Sequence, residues 1–359
     1  MGAAGAKHLV FCGYNRAGSS VQWLTQWPVT AEAIGVFSPG TPDALFVQYV
    51  NHAPLARQFA HEAGIVEWGG ESSIRKAIAE LDKRGARAGH VAVIGPMPFD
   101  QHAALSEKFG QIINLNRDYA RLRRVKSAEE LDWLRIGAWF SDRGMAGLRD
   151  AIRPGVDERQ LGDAIERAYV GEGGGTGIHY IGTTSMHDSQ LAVPRQFPSP
   201  RVVAKGDVVV AEITAHFFDH GGQVLRSFTV GEEPTPLYRA LHDAASAAFE
   251  AIARTLKAGA TPAQVIAASR VIEDAGFTII DDLLHGYGGG YLQPILGSAS
   301  RPAGPVSDDP FQIGQTVVVQ PNVVTKDRKA GVQTGELVVI TRDGVESLHA
   351  FPRGFLRAG

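Results

Sequence analysis

The chain has 359 residues and only one cysteine, Cys12. A lone thiol excludes an internal disulfide and fits a reducing compartment. Its setting, LVFCGY, reads as a buried first strand, so packing rather than nucleophilic chemistry is expected of it. Long apolar runs are also missing: none approaches the roughly 20 residues that a membrane-spanning helix needs. The opening MGAAGAKHLVFCGY has no charged region leading into a long apolar core, which argues against a signal peptide. Its sixth residue is Ala rather than the Ser or Thr of an acylation start. Excess charge is absent as well. Lys and Arg number 35 against 38 Asp and Glu, for a formal charge of −3, and no long acidic or basic tail is present. Neither nucleic acid nor an anionic membrane is expected as a partner, and the cytoplasm is the expected location.

What is present describes an ordinary globular protein, 44% hydrophobic and 20% charged, and long enough for two domains. In the first third, HLVFCGY, AIGVFS, ALFVQYV and HVAVIG read as short strands. PLARQFAHEAG and SSIRKAIAELDKRG read as amphipathic helices between them. This alternation predicts an α/β layer domain over residues 1–122. The basic run RLRRVK reads as a solvated hinge, and Ser127 with Glu130 forms a capping box that starts a long helix. Residues 123–359 form the second predicted domain. Within it GLRDAIRPGVDERQLGDAIERA resembles ARTLKAGATPAQVIAASRVIEDA, and strand clusters follow each copy. The pattern predicts an internal duplication, with a curved antiparallel sheet covered by helices.

Four segments in order carry a family resemblance: RVKSAEELDWLRIGAWFSD, AVPRQFPSPRVVAKGDVVVAEITAHFFDHGGQVLRSFTVG, LLHGYGGGYLQP, and TVVVQPNVV with GVQTGELVVITRDG. Together they resemble the creatinase/aminopeptidase P superfamily, whose pita-bread fold follows a smaller α/β creatinase N-terminal-like domain. The resemblance implies an α+β chain with pseudo-twofold duplication, and a homodimer. Metallopeptidases of this family hold two metal ions with two aspartates, one histidine and two glutamates, a hard-oxygen set suited to divalent cations. Here those positions fall on Glu212, Gln223, His285, Gln320 and Gly335, with Glu336 beside the last, and a further histidine position falls on Arg195. Amides cannot offset two dications, so the resemblance implies no metal and no cofactor.

The expectation from these residues is a metal-independent hydrolase acting on a C–N bond of a small polar metabolite, similar to creatinase and ectoine hydrolase. His285 would move the proton and Glu212 would activate water or attack. Gln223 and Gln320 would stabilise an oxyanion, while Arg195 or Arg226 would hold a substrate carboxylate. Glu336 and Tyr287, with Tyr291 nearby, are candidate binding residues. The stretch 171–190 reads as a long irregular loop bringing His179 and His187 toward the site. His216, Asp219 and His220 read as a solvated hairpin turn. Alternatives are a lyase or isomerase in the same pocket, a metallo-aminopeptidase-like enzyme with an altered site, and a binding protein without chemistry.

Overall fold

The computed structural model describes residues 1–15 and 20–359. The chain divides into two compact units, Met1–Leu122 and Arg123–Gly359.

In the first unit a six-stranded sheet runs in the order Ile65–Trp68, Thr41–Val47, Glu32–Ser38, His8–Tyr14, Val91–Ile94, Ile113–Asn114. Side-chain alternation sends Phe11 and Leu45 to one apolar cluster, and Val10, Cys12 and Ile34 to another on the opposite face. The helix Ser73–Lys83 buries Ile74, Ala77 and Leu81 in that second cluster. Cys12 packs there, and its burial pushes the thiol well above its ordinary range.

The second unit opens with the helix Ala128–Ala151, whose capping box joins the Ser127 hydroxyl to the Glu130 amide and the Glu130 carboxylate to the Ser127 amide. The nine-stranded sheet beneath has an antiparallel path of seven strands in the order Tyr291–Leu296, Leu284–Tyr287, Thr316–Val319, Gly335–Ile340, His220–Val230, Asp207–Phe217, Gly175–Ser185; Val345–Ser347 pairs with Gly335–Ile340, and Leu356–Ala358 runs parallel to His220–Val230. The two helical copies are both present. Glu158–Arg167 is capped by Asp157 and Gln160, and Pro262–Ala268 by Thr261 and Gln264 with proline in the first turn.

The strand Asp207–Phe217 shows how this sheet divides its labour. Val209, Ala211 and Ile213 join the cluster of Phe140, Met145 and Leu148 from the long helix. Val208 and Val210 face the other way, into the cluster of Leu241, Ala245 and Phe249 from the helix Pro236–Thr255. Glu212, Thr214 and His216 continue that second parity, past the apolar cover. This is where the pocket opens.

The segment expected to be an irregular loop is instead the eleven-residue strand Gly175–Ser185. It pairs along its length with Asp207–Phe217, taking up one irregularity between Thr176 and Ile178. Its glycines permit close approach to that neighbour: a Cβ at Gly177 would lie 2.7 Å from the Thr214 carbonyl oxygen. Among the described residues no helix is long and apolar enough to cross a membrane.

Candidate active site

A cavity of about 510 Å³ opens on this face of the sheet. Strand register builds its floor. Tyr180 lies opposite Glu212, and both Ile178 and Gln223 lie opposite Thr214 on their neighbouring strands, so these side chains share one face. Gln320, which directly follows the strand Thr316–Val319, completes a hydrogen-bonded row. The Gln223 amide donates through Nε2 to Glu212 Oε1 and to Gln320 Oε1, each at 2.9 Å. Gln320 in turn donates to the Asp282 carbonyl at 3.2 Å. Both amides are buried. The row therefore fixes the two glutamines as partners for each other and for the carboxyl.

Glu212 has no cationic neighbour in this row. Burial, reinforced by the nearby charge of Asp281, pushes its carboxyl up to about 8. Asp281 is likewise raised by burial, to about 7; its Oδ2 accepts from Asn322 Nδ2 at 2.9 Å. Tyr287 and Tyr291 line the same cavity, and His216 Nε2 lies 3.4 Å from the Tyr287 hydroxyl. His285 is fully buried and does not line the cavity. The Tyr291 ring stacks on its imidazole at 3.7 Å, and its Nδ1 lies 3.0 Å from the Gly286 carbonyl oxygen. Burial lowers its pKa to about 4, so it is neutral at pH 7.

The other candidates lie elsewhere. His179, opposite Ile213, has the reverse parity from Tyr180, and its Nε2 meets the Tyr169 hydroxyl at 2.9 Å. His187 is exposed and pairs with Glu232 at 3.2 Å. Arg195 donates to the buried Glu158 carboxylate at 2.9 Å. Arg226, opposite Ala211, is buried on the helix-covered face. It pairs with Glu336 at 2.6 Å and donates to the carbonyls of Leu225, Gly335, Phe351 and Pro352. Glu336, opposite Val224, shares that face and points away from the pocket. In place of the solvated turn expected around His216, the strand continues through Phe217 and only Phe218 and Asp219 form the turn. His216, Thr214, Tyr180 and Asp281 are among the pocket residues that sequence reasoning missed. For the first two the signal was available: they follow Glu212 at steps of two.

Comparison with known proteins agrees with this architecture. Residues 132–342, more than half of the chain, match the model of metallopeptidase family M24. A probable dipeptidase PepE from Mycobacterium bovis is 28% identical over 267 residues, covering 73% of this chain and 68% of the relative. The Xaa-Pro dipeptidase of Pyrococcus furiosus is 23% identical over 257 residues, covering 70% and 69%. The crystal structure of an X-Pro aminopeptidase from Thermotoga maritima superposes with a TM-score of 0.83 at 20% identity, covering 99% of both chains.

The family's description implies metal, and the donor set tests the fit. Among the described residues, no three His, Cys, Asp or Glu side chains converge to hold an ion. The cavity offers two carboxyls, Glu212 already hydrogen-bonded to Gln223 and Asp281 to Asn322, while Glu336 is spent on Arg226 and His285 lies beneath Tyr291. Gly335 leaves no room for a replacement: a Cβ there would lie 2.3 Å from the Val319 carbonyl oxygen. Two divalent cations do not fit this set.

The expectation of a metal-independent, non-peptidase hydrolase is overturned by the relatives, which are named dipeptidases and aminopeptidases within a metallopeptidase family. The sequence argument judged reaction class from the missing ligands alone, and missing ligands speak to the site rather than to the substrate. By the match over residues 132–342 and the fold built around it, this chain belongs to metallopeptidase family M24, the pita-bread creatinase and aminopeptidase P superfamily.

Proposed function

We propose that this chain is a peptidase-type enzyme with an altered site, taking a short peptide into the cavity above Glu212, Gln223 and Gln320. The observation that carries this reading is the cavity itself. It is about 510 Å³ in volume, within the range that encloses a small ligand, and a carboxyl lies in its floor. The family and the named relatives supply the reaction class, cleavage of a peptide C–N bond. Glu212 is the group placed to exchange a proton with water or with the leaving amine. Gln223 and Gln320 hold that carboxyl in position. Tyr180, Tyr287 and Tyr291 supply the ring surface against which a side chain packs.

The test is turnover of defined dipeptide and tripeptide panels by the purified chain, followed by mass spectrometry. Assays run with chelator and, separately, with added manganese, cobalt or zinc. Cleavage that is lost in E212Q, with the fold retained by circular dichroism, is the expected result. Absence of cleavage under every condition would overturn the catalytic part of the proposal. A second reading, peptide binding without turnover, is favoured by the lost donor set, and equilibrium dialysis with the same panels distinguishes it.

A further inference from the structure

A second cavity, of about 1050 Å³, lies wholly within the first unit and shares no residue with the one above Glu212. Lys7, Lys83, Arg84 and Arg87 line it, with the imidazoles of His8 and His90, against a single carboxylate, Glu80, among the described residues. Glu80 is already shared: Arg84 Nε lies 2.7 Å and Lys83 Nζ 3.6 Å from its oxygens. Asp43, the other carboxylate that Arg84 feels, lines a separate hollow. Two of the cations have an ordinary reason to be there. Lys83 and Arg84 close the helix Ser73–Lys83, whose C-terminal end favours positive charge. Lys7 and Arg87 have no such reason, and the lining holds no further carboxylate for them.

The backbone gathers these groups at one corner. The amides of Lys7 and His8 both donate to the His90 carbonyl, at 2.9 and 3.2 Å, and the His90 amide donates to the Arg87 carbonyl at 3.1 Å. The corner is the point where the strand His8–Tyr14 starts beside Val91–Ile94. His8 is only 8% exposed, and its ring is fixed from one side. Ser38 Oγ accepts from Arg84 Nη1 at 3.4 Å and so has its own proton for His8 Nδ1, 2.9 Å away. The neutral imidazole then carries its proton on Nε2, as a donor. Burial, followed by the charges of Arg84, His90 and Lys7, holds this ring below its usual range, which keeps it neutral at pH 7. Gathering like charges costs free energy that a bound anion recovers.

We infer that this corner of the first unit binds a small phosphate-bearing molecule, with Lys7 and Arg87 on the phosphate oxygens and His8 as a neutral donor. Arg84, already committed to Glu80 and to the Pro42 carbonyl at 2.9 Å, adds positive field rather than a contact. A phosphate ester sets roughly two negative charges and several acceptor oxygens on one centre. A guanidinium fork meets two such oxygens at once, and an ammonium serves as a point charge beside it. A polycarboxylate spreads the same charge over separate carbons and matches a single corner less well. The inference does not depend on the peptide reading of the other cavity.

Titration calorimetry of the full chain with inorganic pyrophosphate and, separately, with citrate tests it. Pyrophosphate is expected to bind about tenfold or more tightly than citrate, and less tightly as sodium chloride is raised. Lys7→Ala combined with Arg87→Ala should weaken pyrophosphate binding about tenfold or more, given the strength of charge-assisted hydrogen bonds. Both side chains are exposed, so the fold should be retained, as read by circular dichroism. Lys326→Ala combined with Lys329→Ala removes the same charge from an exposed turn of the second unit and should leave binding unchanged. Absence of pyrophosphate binding, or citrate binding just as tightly, would overturn the inference. Equal losses in the two double variants would overturn it as well, because attraction to overall charge would then account for the binding. Binding unchanged in the Lys7 and Arg87 variant would place the anion elsewhere and have the same consequence.

Discussion

Glu212 is a carboxyl without a counter-ion, and this makes it costly at high pH. Its folded-state pKa of about 8 lies above the ordinary value near 4.5. The folded state therefore holds this proton when the unfolded state has lost it, and stability falls as pH rises between those limits. Glu212→Gln keeps the acceptor for Gln223 and removes the titration. The thermal midpoint of the variant should gain on the wild type steadily from pH 5 to pH 8, as read by calorimetry. A constant difference across that range would mean that Glu212 is ionised throughout. Arg226 behaves differently, because its charge is matched. Arg226→Met removes the close partner of buried Glu336, leaving Arg353 at 3.9 Å and the Ser347 hydroxyl, and a loss of about 3 kcal/mol is expected in urea denaturation. Replacing both residues with Met should not restore stability, since the guanidinium also serves the carbonyls of Leu225, Gly335, Phe351 and Pro352. Gly335→Ala is predicted to destabilise by about 2 kcal/mol or more by the same measurement. The added methyl meets backbone, which cannot rotate away as a side chain would.

At the scale of single elements, alternation along the strand decides which residues can reach a ligand. The parity of Val208, Val210 and Glu212 was readable in the sequence, and it extends to Thr214 and His216. Whether His179 shares that face was not readable. That depends on cross-strand register, and the irregularity between Thr176 and Ile178 resets it. Arg226 looked like a substrate clamp because sequence shows its charge but not Glu336, which lies across the sheet at a separation of 110 residues. Helix starts were more legible, since capping is local: Ser127 with Glu130 was identified from three-residue spacing. Ser127→Ala should cost about 1 kcal/mol by thermal or urea denaturation. A loss below a few tenths would mean that tertiary packing alone fixes the start of this helix.

Across the whole chain, the fold class followed from the order of four segments and from one repeated helix–turn–helix pattern. That pattern reappears as two capped helical pairs over one largely antiparallel sheet. Such patterns are written into local sequence, so they survive at identities near 20%. The reaction class was less legible. A site that sets two amides beside one carboxyl resembles a metal-free enzyme when its residues are read one at a time, whereas the surrounding fold belongs with peptidases. Asp281 went unnoticed because it follows the short strand Thr278–Ile279 rather than a recognised motif, and only three-dimensional closure brings it to the cavity.

The close packing at Gly335 also governs which sequences can follow from this one. Backbone from Val319 and Gln320 occupies the volume that any side chain at 335 would need. No single substitution can place a carboxylate at that spot without cost; the adjoining chain must first move aside, at a cost to the fold before any benefit to the site. Sequence change can refine the pocket step by step, while a side chain at 335 requires several changes at once.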